Sequence, residues 1–244
     1  MHDWLLLQSG PGDHAFNMAL DEALLEAMPR LGKPVLRFYG WLGAPASFGY
    51  FQKIADVESM TLLRPLVRRP TAGGIVPHDA DWTYSLVFPT PDEWYSLSAT
   101  ESYRCVHEWI RSAFTRMNVE TQLAPRSRRG DEADSTNPSP HDLGSHSHGG
   151  QCFVGYEKSD LLWRGRKIAG AAQRRTRAGL LIQGSVQPPP LSLAKADWQK
   201  AMCDVAHFDL GVRWTELELD TPLREHAEEL AAAKYRQASY NRKR

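Results

Sequence analysis

Cys152 stands ahead of Lys167 in CFVGYEKSDLLWRGRKIAGAAQRR, residues 152–175. A thiol followed by an amine is the pair of side chains that acyl transfer uses. A thiolate attacks a thioester and yields a second thioester, which keeps the acyl group activated for an amine. An ammonium near the sulfur lowers its pKa, and a desolvated lysine can take a proton from the thiol or from the incoming amine. Each residue also has a plainer reading. Cys152 can be a small apolar residue, as Cys105 and Cys203 are expected to be in their helical stretches, and Lys167 can be a solvated residue after a turn. Next to Lys167, Ile168-Ala169-Gly170-Ala171-Ala172 has almost no bulk, so Gly170, Ala171 and Ala172 offer a narrow apolar slot for a medium-length acyl chain.

A second stretch, VRRPTAGGIVPHDADWTYSLVFP, carries Arg68 and Arg69, then Gly73 and Gly74, then His78 at the mouth of an apolar strand. Arginines at a sheet edge are ordinarily solvated charges. Beside a glycine pair that permits unusual backbone angles, they can instead anchor a segment whose backbone N–H groups face developing negative charge. His78 either orients this loop or is a hydrogen-bonded structural histidine.

The elements that must position these residues follow from periodicity and turn chemistry. Trp4 to Leu7 reads as a strand, and Asp13 as the N-cap of a helix whose Phe16, Ala19, Leu20, Ala23, Leu24 and Ala27 face the core. Asp21, Glu22 and Glu26 are expected on its solvated face, with Pro29 and Gly32 ending the helix. Val35 to Tyr39, Leu66 to Arg69 and Trp82 to Phe88 read as strands. In the loop YGWLGAPASFGYFQ, Ser47 and Gly49 can admit a ligand, although composition favours packing. Ser98 and Glu101 have capping-box spacing before a helix with a core stripe of Tyr103, Val106, Ile110, Phe114 and Met117.

Strands are expected at Asp160 to Trp163 and Lys167 to Arg174, joined by the Arg164-Gly165-Arg166 turn, and again at Leu180 to Val186. Ser192 and Thr221-Pro222 mark two late helices. The basic tail YRQASYNRKR is expected to fray. Residues 124–150 turn polar without periodicity and read as a surface insertion. Their His141, His146 and His148 are expected to be solvated, so no metal site is expected. Strands outnumber helices and many are joined by hairpin-like turns. The expected fold is therefore α+β, a single domain over 1–244 with a largely antiparallel or mixed sheet flanked by helices.

The chain has 244 residues with 29 basic and 29 acidic side chains, so its formal charge of zero argues against binding nucleic acid or membrane through bulk charge. Three irregularly spaced cysteines make neither a disulfide framework nor a metal knuckle. The opening MHDWLLLQSG lacks the basic flank and length of a signal peptide, no stretch approaches a membrane span, and a cytoplasmic protein is expected.

The ordered set FNMALDEAL, LRFYGW, SFGYFQ, RRPTAGGIVPHDADWTYSL and GRKIAGAAQRR resembles the lipoate and octanoate attachment family, whose catalytic domain is related to that of biotin-protein ligases. The resemblance covers most of the chain up to about its last sixty residues. It implies catalytic roles for Cys152 and Lys167. It also implies substrate-binding roles for Arg68, Arg69, Thr71, Gly73, Gly74, His78, Gly170, Ala171 and Ala172. Cys152, with Phe153 after it and Lys167 in GRKIAG, looks like the cysteine of the bacterial octanoyltransferase branch, and the extra C-terminal domain of many lipoate ligases is not expected. That branch implies acyl carrier protein as donor, no cofactor, and an acceptor lysine on a lipoyl-domain protein such as the glycine cleavage H protein or a 2-oxoacid dehydrogenase E2. The alternatives are an ATP-dependent lipoate-protein ligase, which alone calls for ATP and magnesium, and a noncatalytic acyl-binding relative. Two departures stand out. Ala72 replaces the first of three glycines common in the family, which would strain the backbone if φ there were positive, and Pro77 removes a backbone donor before His78.

Overall fold

The computed structural model describes residues 1–125, 153 and 155–243. In chain order the elements are β1 (His2–Gly12), α1 (His14–Leu31), β2 (Val35–Trp41), β3 (Ala46–Phe48), α2 (Ile54–Met60), β4 (Leu66–Arg68), β5 (Val76–Pro77), β6 (Trp82–Pro89), α3 (Glu93–Ser96), α4 (Ala99–Arg116) and β7 (Gln122–Leu123). There follow β8 (Leu161–Trp163), β9 (Arg166–Arg175), β10 (Gly179–Val186), α5 (Lys195–Asp209), β11 (Val212–Glu216), α6 (Thr221–Leu230), a π-helical turn (Ala231–Tyr235) and α7 (Ala238–Asn241).

Among the described residues one sheet has eight strands in the order β11-β1-β2-β6-β10-β9-β8-β7, and a small one has the order β4-β3-β5. β1 runs parallel to β2 and β11, while the pairs from β2 to β7 are antiparallel, so the sheet is mixed. Its central strands are buried on both faces, and the two-residue alternation divides them between two cores. Leu36, Phe38, Leu86, Phe88 and Ile182 pack with Val106, Ile110 and Phe114 of α4 and Trp198 and Met202 of α5. Val35, Val87 and Leu181 pack with Leu20 and Leu24 of α1 and Leu223 of α6. The architecture is α+β, as the sequence implies, with helices on both faces of the sheet. No helix among the described residues is long and apolar enough to cross a membrane.

Local chemistry explains the element ends. Asp13 accepts from the backbone N–H groups of Ala15 and Phe16, and Gly32 closes α1 in the left-handed region at φ 63°. Ser98 caps α4 through the Glu101 N–H, but the Glu101 carboxylate turns to Arg104 instead of completing the capping box. Arg164 and Gly165, at φ 47° and 77°, make the β8–β9 turn. Ala194 and Asp220, not Ser192 and Thr221, occupy the cap positions of α5 and α6.

Two expectations fail. Asp21 and Glu22 are buried, not solvated, and only Glu26 stays exposed, paired with His226. Asp21 accepts from Arg37, Ser85 and Gln183, while Glu22 accepts from Lys234 and the Tyr235 hydroxyl, so the polar atoms lost to water are replaced. The basic tail does not fray: Tyr235 and Tyr240 are buried, and Asn241 bonds to the Arg68 segment. The 124–150 insertion, apart from Ala124 and Pro125, lies outside the described residues, as do His141, His146 and His148.

Candidate active site

A narrow slot lies between the two sheets. Met18, Tyr39, Trp41, Ser47, Val76 and His78 line one part, and Gly170, Ala171, Ala172, Gln183 and Ser185 another, with Arg69 and Gly73 beside them. The β9–β10 register sets Gly170 opposite Ser185, Ala171 opposite Gly184 and Ala172 opposite Gln183, which pairs small residues along the wall. Gly184 is required for a second reason, because a Cβ there would overlap the Tyr84 ring.

The twin arginines separate in role. Arg69 donates to the Ser47 hydroxyl at 2.9 Å and to the carbonyls of Ala72 and Gly74 at 3.0 and 2.8 Å, so it folds the glycine loop around itself at the slot. Arg68 is fully buried and donates to the carbonyls of Tyr50, Gln52, Tyr240 and Asn241. It ties the loop after β3 to α7. Gly73 takes the positive φ, 96°, whereas Ala72 does not, so the methyl group of Ala72 brings no left-handed strain.

His78 connects the loop to the sheet. Its Nδ1 lies 2.9 Å from Asp81 Oδ2 and its Nε2 2.6 Å from Ser47 Oγ. A carboxylate only accepts, so in the neutral ring Nδ1 carries the hydrogen and Nε2 accepts the Ser47 proton. Thr83 and Ser185 also donate to Asp81 Oδ2, and Trp41 stacks on His78 with ring centroids 3.9 Å apart. The order serine, histidine, carboxylate is that of a nucleophile relay. Ser47, however, is fully buried and already accepts from Arg69, an arrangement that positions Arg69 and the slot wall. Pro77 fits because β5 pairs on β3 and the next N–H, of His78, reaches the Pro45 carbonyl. Thr71 and Gly74 are placed behind the slot. Thr71 donates to Gln183 Oε1 and Gln183 Nε2 donates to Asp21, which fixes the amide's orientation.

Lys167 lies in an adjoining groove lined by Pro77, Phe153, Gly155, Tyr156, Arg166 and Gln187. Val76 lines the slot and its neighbour on β5, Pro77, lines the groove. The Lys167 ammonium is 2.8 Å from Asp160 Oδ2, with side-chain exposures of 8% and 9%; it is not the solvated residue of the plainer reading. Cys152 lies outside the described residues. Cys105 and Cys203 are half-buried in α4 and α5, where burial raises both thiols, Cys203 to about 12. Among the described residues no group of three or more histidine, cysteine or acidic side chains is placed to hold a metal ion.

Asp81, Asp160, Gln183 and Trp41 are not marked as site residues by the sequence alone, and composition makes Ser47 a packing residue. Asp81 had a signal, a carboxylate three residues after a histidine, and Gln183 another, an amide within an apolar strand. Asp160 had only its place just before β8.

Residues 13–187 match the family model described as Lipoyl protein ligase A/B catalytic domain. Octanoyltransferase LipM of Anoxybacillus flavithermus is 35% identical over 189 residues, 75% of this chain and 64% of that protein. Octanoyltransferase LipM of Bacillus subtilis is 35% identical over 193 residues, again 75% and 64%. The chain thus spans just under two thirds of the length of these curated relatives. A putative lipoate protein ligase from T. acidophilum superposes with a TM-score of 0.76 at 20% identity, covering 99% of this chain and 100% of that one. Lipoate-protein ligase A bound with ATP superposes at 0.74 with 19% identity and 98% coverage of each chain. At these identities the likeness is one of fold.

Proposed function

The chain belongs to the lipoyl protein ligase A/B catalytic domain family, and on that premise we propose that it moves an octanoyl or lipoyl group from acyl carrier protein, through a thioester on Cys152, to a lysine of a lipoyl-domain protein. The observation that carries this reading is the slot walled by Gly170, Ala171 and Ala172 of β9, the strand that also places Lys167 in its groove. An acyl tail threaded between the sheets sets its carbonyl toward that groove.

In the first half-reaction the Cys152 thiolate forms a bond to the carbonyl carbon, the carrier's C–S bond breaks, and the departing thiolate takes a proton from the Lys167 ammonium. In the second, the neutral Lys167 amine takes a proton from the acceptor ammonium. The acceptor amine then attacks the enzyme thioester, the Cys152 C–S bond breaks, and the second amine proton leaves to solvent. The two raised thiols of Cys105 and Cys203 are poor nucleophiles. Arg69 and the loop it organises, with Gly73 at the slot and Thr71, Gly74 and His78 holding it, bind and orient the acyl group. Arg68 acts from behind, through the loop it ties to α7. The acceptor is a lipoyl-domain protein such as the glycine cleavage H protein or a 2-oxoacid dehydrogenase E2, and the protein is cytoplasmic.

The test is acyl transfer to a lipoyl-domain acceptor, read by acceptor mass, from octanoyl acyl carrier protein without nucleotide, and in parallel from free octanoate with ATP and magnesium. Modification only in the first mixture is expected. Modification only in the second is the result of a ligase, and modification in neither that of an acyl-binding relative.

A further inference from the structure

Asp160 sits at a convergence that the reaction just proposed leaves unused. Its Oδ2 lies 2.8 Å from Lys167 Nζ and accepts from the Glu157 N–H at 2.7 Å. The backbone that presents it is held at several points. Ala124 N donates to the Asp160 carbonyl, Ser159 N to the Ala124 carbonyl, and Asp160 N to the Glu157 carbonyl. Ser159 takes a left-handed φ of 71°, which a side chain disfavours, and its carbonyl accepts from His107 Nδ1 at 2.7 Å. A carbonyl only accepts, so His107 Nδ1 carries the hydrogen and the ring presents a lone pair at Nε2. His107 is buried in α4, and burial lowers its pKa, which keeps it neutral beside the charged pair.

Resting on the proposed transferase reading, we infer that Asp160 is a positioning residue that holds Lys167 as an ammonium at rest and directs its Nζ along the groove. An ammonium taken from water into a site with 8% exposure is unstable without a counter-charge. Asp160 supplies it, and its position is fixed by a strained turn and by a histidine from the neighbouring helix. The carboxylate serves both half-reactions: it keeps a proton on Lys167 for the departing thiolate, and it makes the neutral amine left behind basic enough to take a proton from the acceptor. Titratable and charged side chains near the pair include His107 behind it, Glu157 on its own loop, and Tyr156 and Arg166 in the groove. Of these, Glu157 bonds to Asp160 through its backbone N–H.

The test labels Lys167 competitively with a neutral acylating reagent across pH and reads the digested peptide by mass spectrometry, with exposed Lys200 as internal reference, in the wild type and in Asp160→Asn. Asp160→Asn takes away a negative charge 2.8 Å from the ammonium, so Lys167 in the variant should become reactive at least one pH unit lower. The pH–rate profile for transfer should move its limb the same way, with at least a tenfold fall in the maximal rate. An Asp160→Asn protein that is folded by circular dichroism but titrates Lys167 as the wild type does overturns the inference, even if its rate falls. The wild type decides if the variant does not fold: Lys167 should titrate no lower than Lys200, and a Lys167 reactive well below it also overturns the inference. Labelling needs no turnover, so failure of the transferase reading leaves this test standing.

Discussion

Gly49 lies so close to Gly73 that a Cβ on Gly49 would overlap the Gly73 carbonyl oxygen. The loop after β3 and the glycine loop wrapped around Arg69 are thus packed backbone against backbone, and no side chain can be inserted between them. Gly49→Ala must push the Gly73 carbonyl away, and with it the slot. We expect a loss of about 1–3 kcal/mol, as for overpacking elsewhere, and at least tenfold weaker acyl binding, measured by thermal melting and by octanoate titration. Ala72→Gly should change stability by less than about 1 kcal/mol, because no positive φ is relieved there.

Ser47→Ala separates positioning from nucleophilic attack. The change removes one of the acceptors of Arg69 and the hydroxyl that donates to His78 Nε2 in a buried site. That should cost about 1–3 kcal/mol in acyl binding, roughly fivefold to 150-fold in affinity. At saturating donor the variant should still form the acyl-enzyme. Loss of the adduct in Ser47→Ala, with the adduct retained in Cys152→Ser, would make Ser47 the nucleophile.

Burial alone would raise the Glu22 carboxyl, but hydrogen bonds from Lys234 and Tyr235 and the charges of Lys234 and Arg174 outweigh it, and the pKa is lowered. A carboxylate depressed in the folded state stabilises above its unfolded pKa, and that contribution is lost as pH falls through the folded value. Glu22→Gln should therefore melt below the wild type at pH 7, with the gap closing as pH falls below the ordinary glutamate range near 4.5. A gap constant down to pH 3 would show that the charge of Glu22 contributes nothing to holding the C-terminal segment.

Asn241→Ala tests the tail. Asn241 accepts from the Arg68 N–H and donates to the Tyr235 carbonyl, so its loss should cost about 1–3 kcal/mol. It should also speed proteolysis of the tail, followed by mass spectrometry.

The parts of this protein written in local pattern are legible in its sequence. Alternation in Trp82–Phe88, the three-and-four spacing after Asp13, and the Arg164-Gly165 turn each depend on near neighbours, and each is realised within a few residues. The slot residues Gly170, Ala171 and Ala172 stood out for their missing bulk. What escaped depends on distant partners. Asp21 reads as a surface carboxylate until Arg37, Ser85 and Gln183 are brought to it from three strands. Arg68 and Arg69 are adjacent in sequence, and only the fold sends one to α7 and the other to Ser47. The tail looks like a fraying end because its two buried tyrosines lie among exposed polar and basic residues. His107, which donates to the Ser159 carbonyl beside Asp160, is hidden within a helix whose stripe reads as apolar.

Intact-mass analysis of the protein mixed with octanoyl acyl carrier protein, without nucleotide or acceptor, bears most directly on acyl transfer through a thiol. One octanoyl adduct should appear on the wild type, be released by hydroxylamine, map to Cys152, and persist in Cys105→Ser and Cys203→Ser while being absent from Cys152→Ser. A wild type that stays unmodified here, yet transfers octanoate to a lipoyl-domain acceptor once ATP is added, would contradict the thioester route.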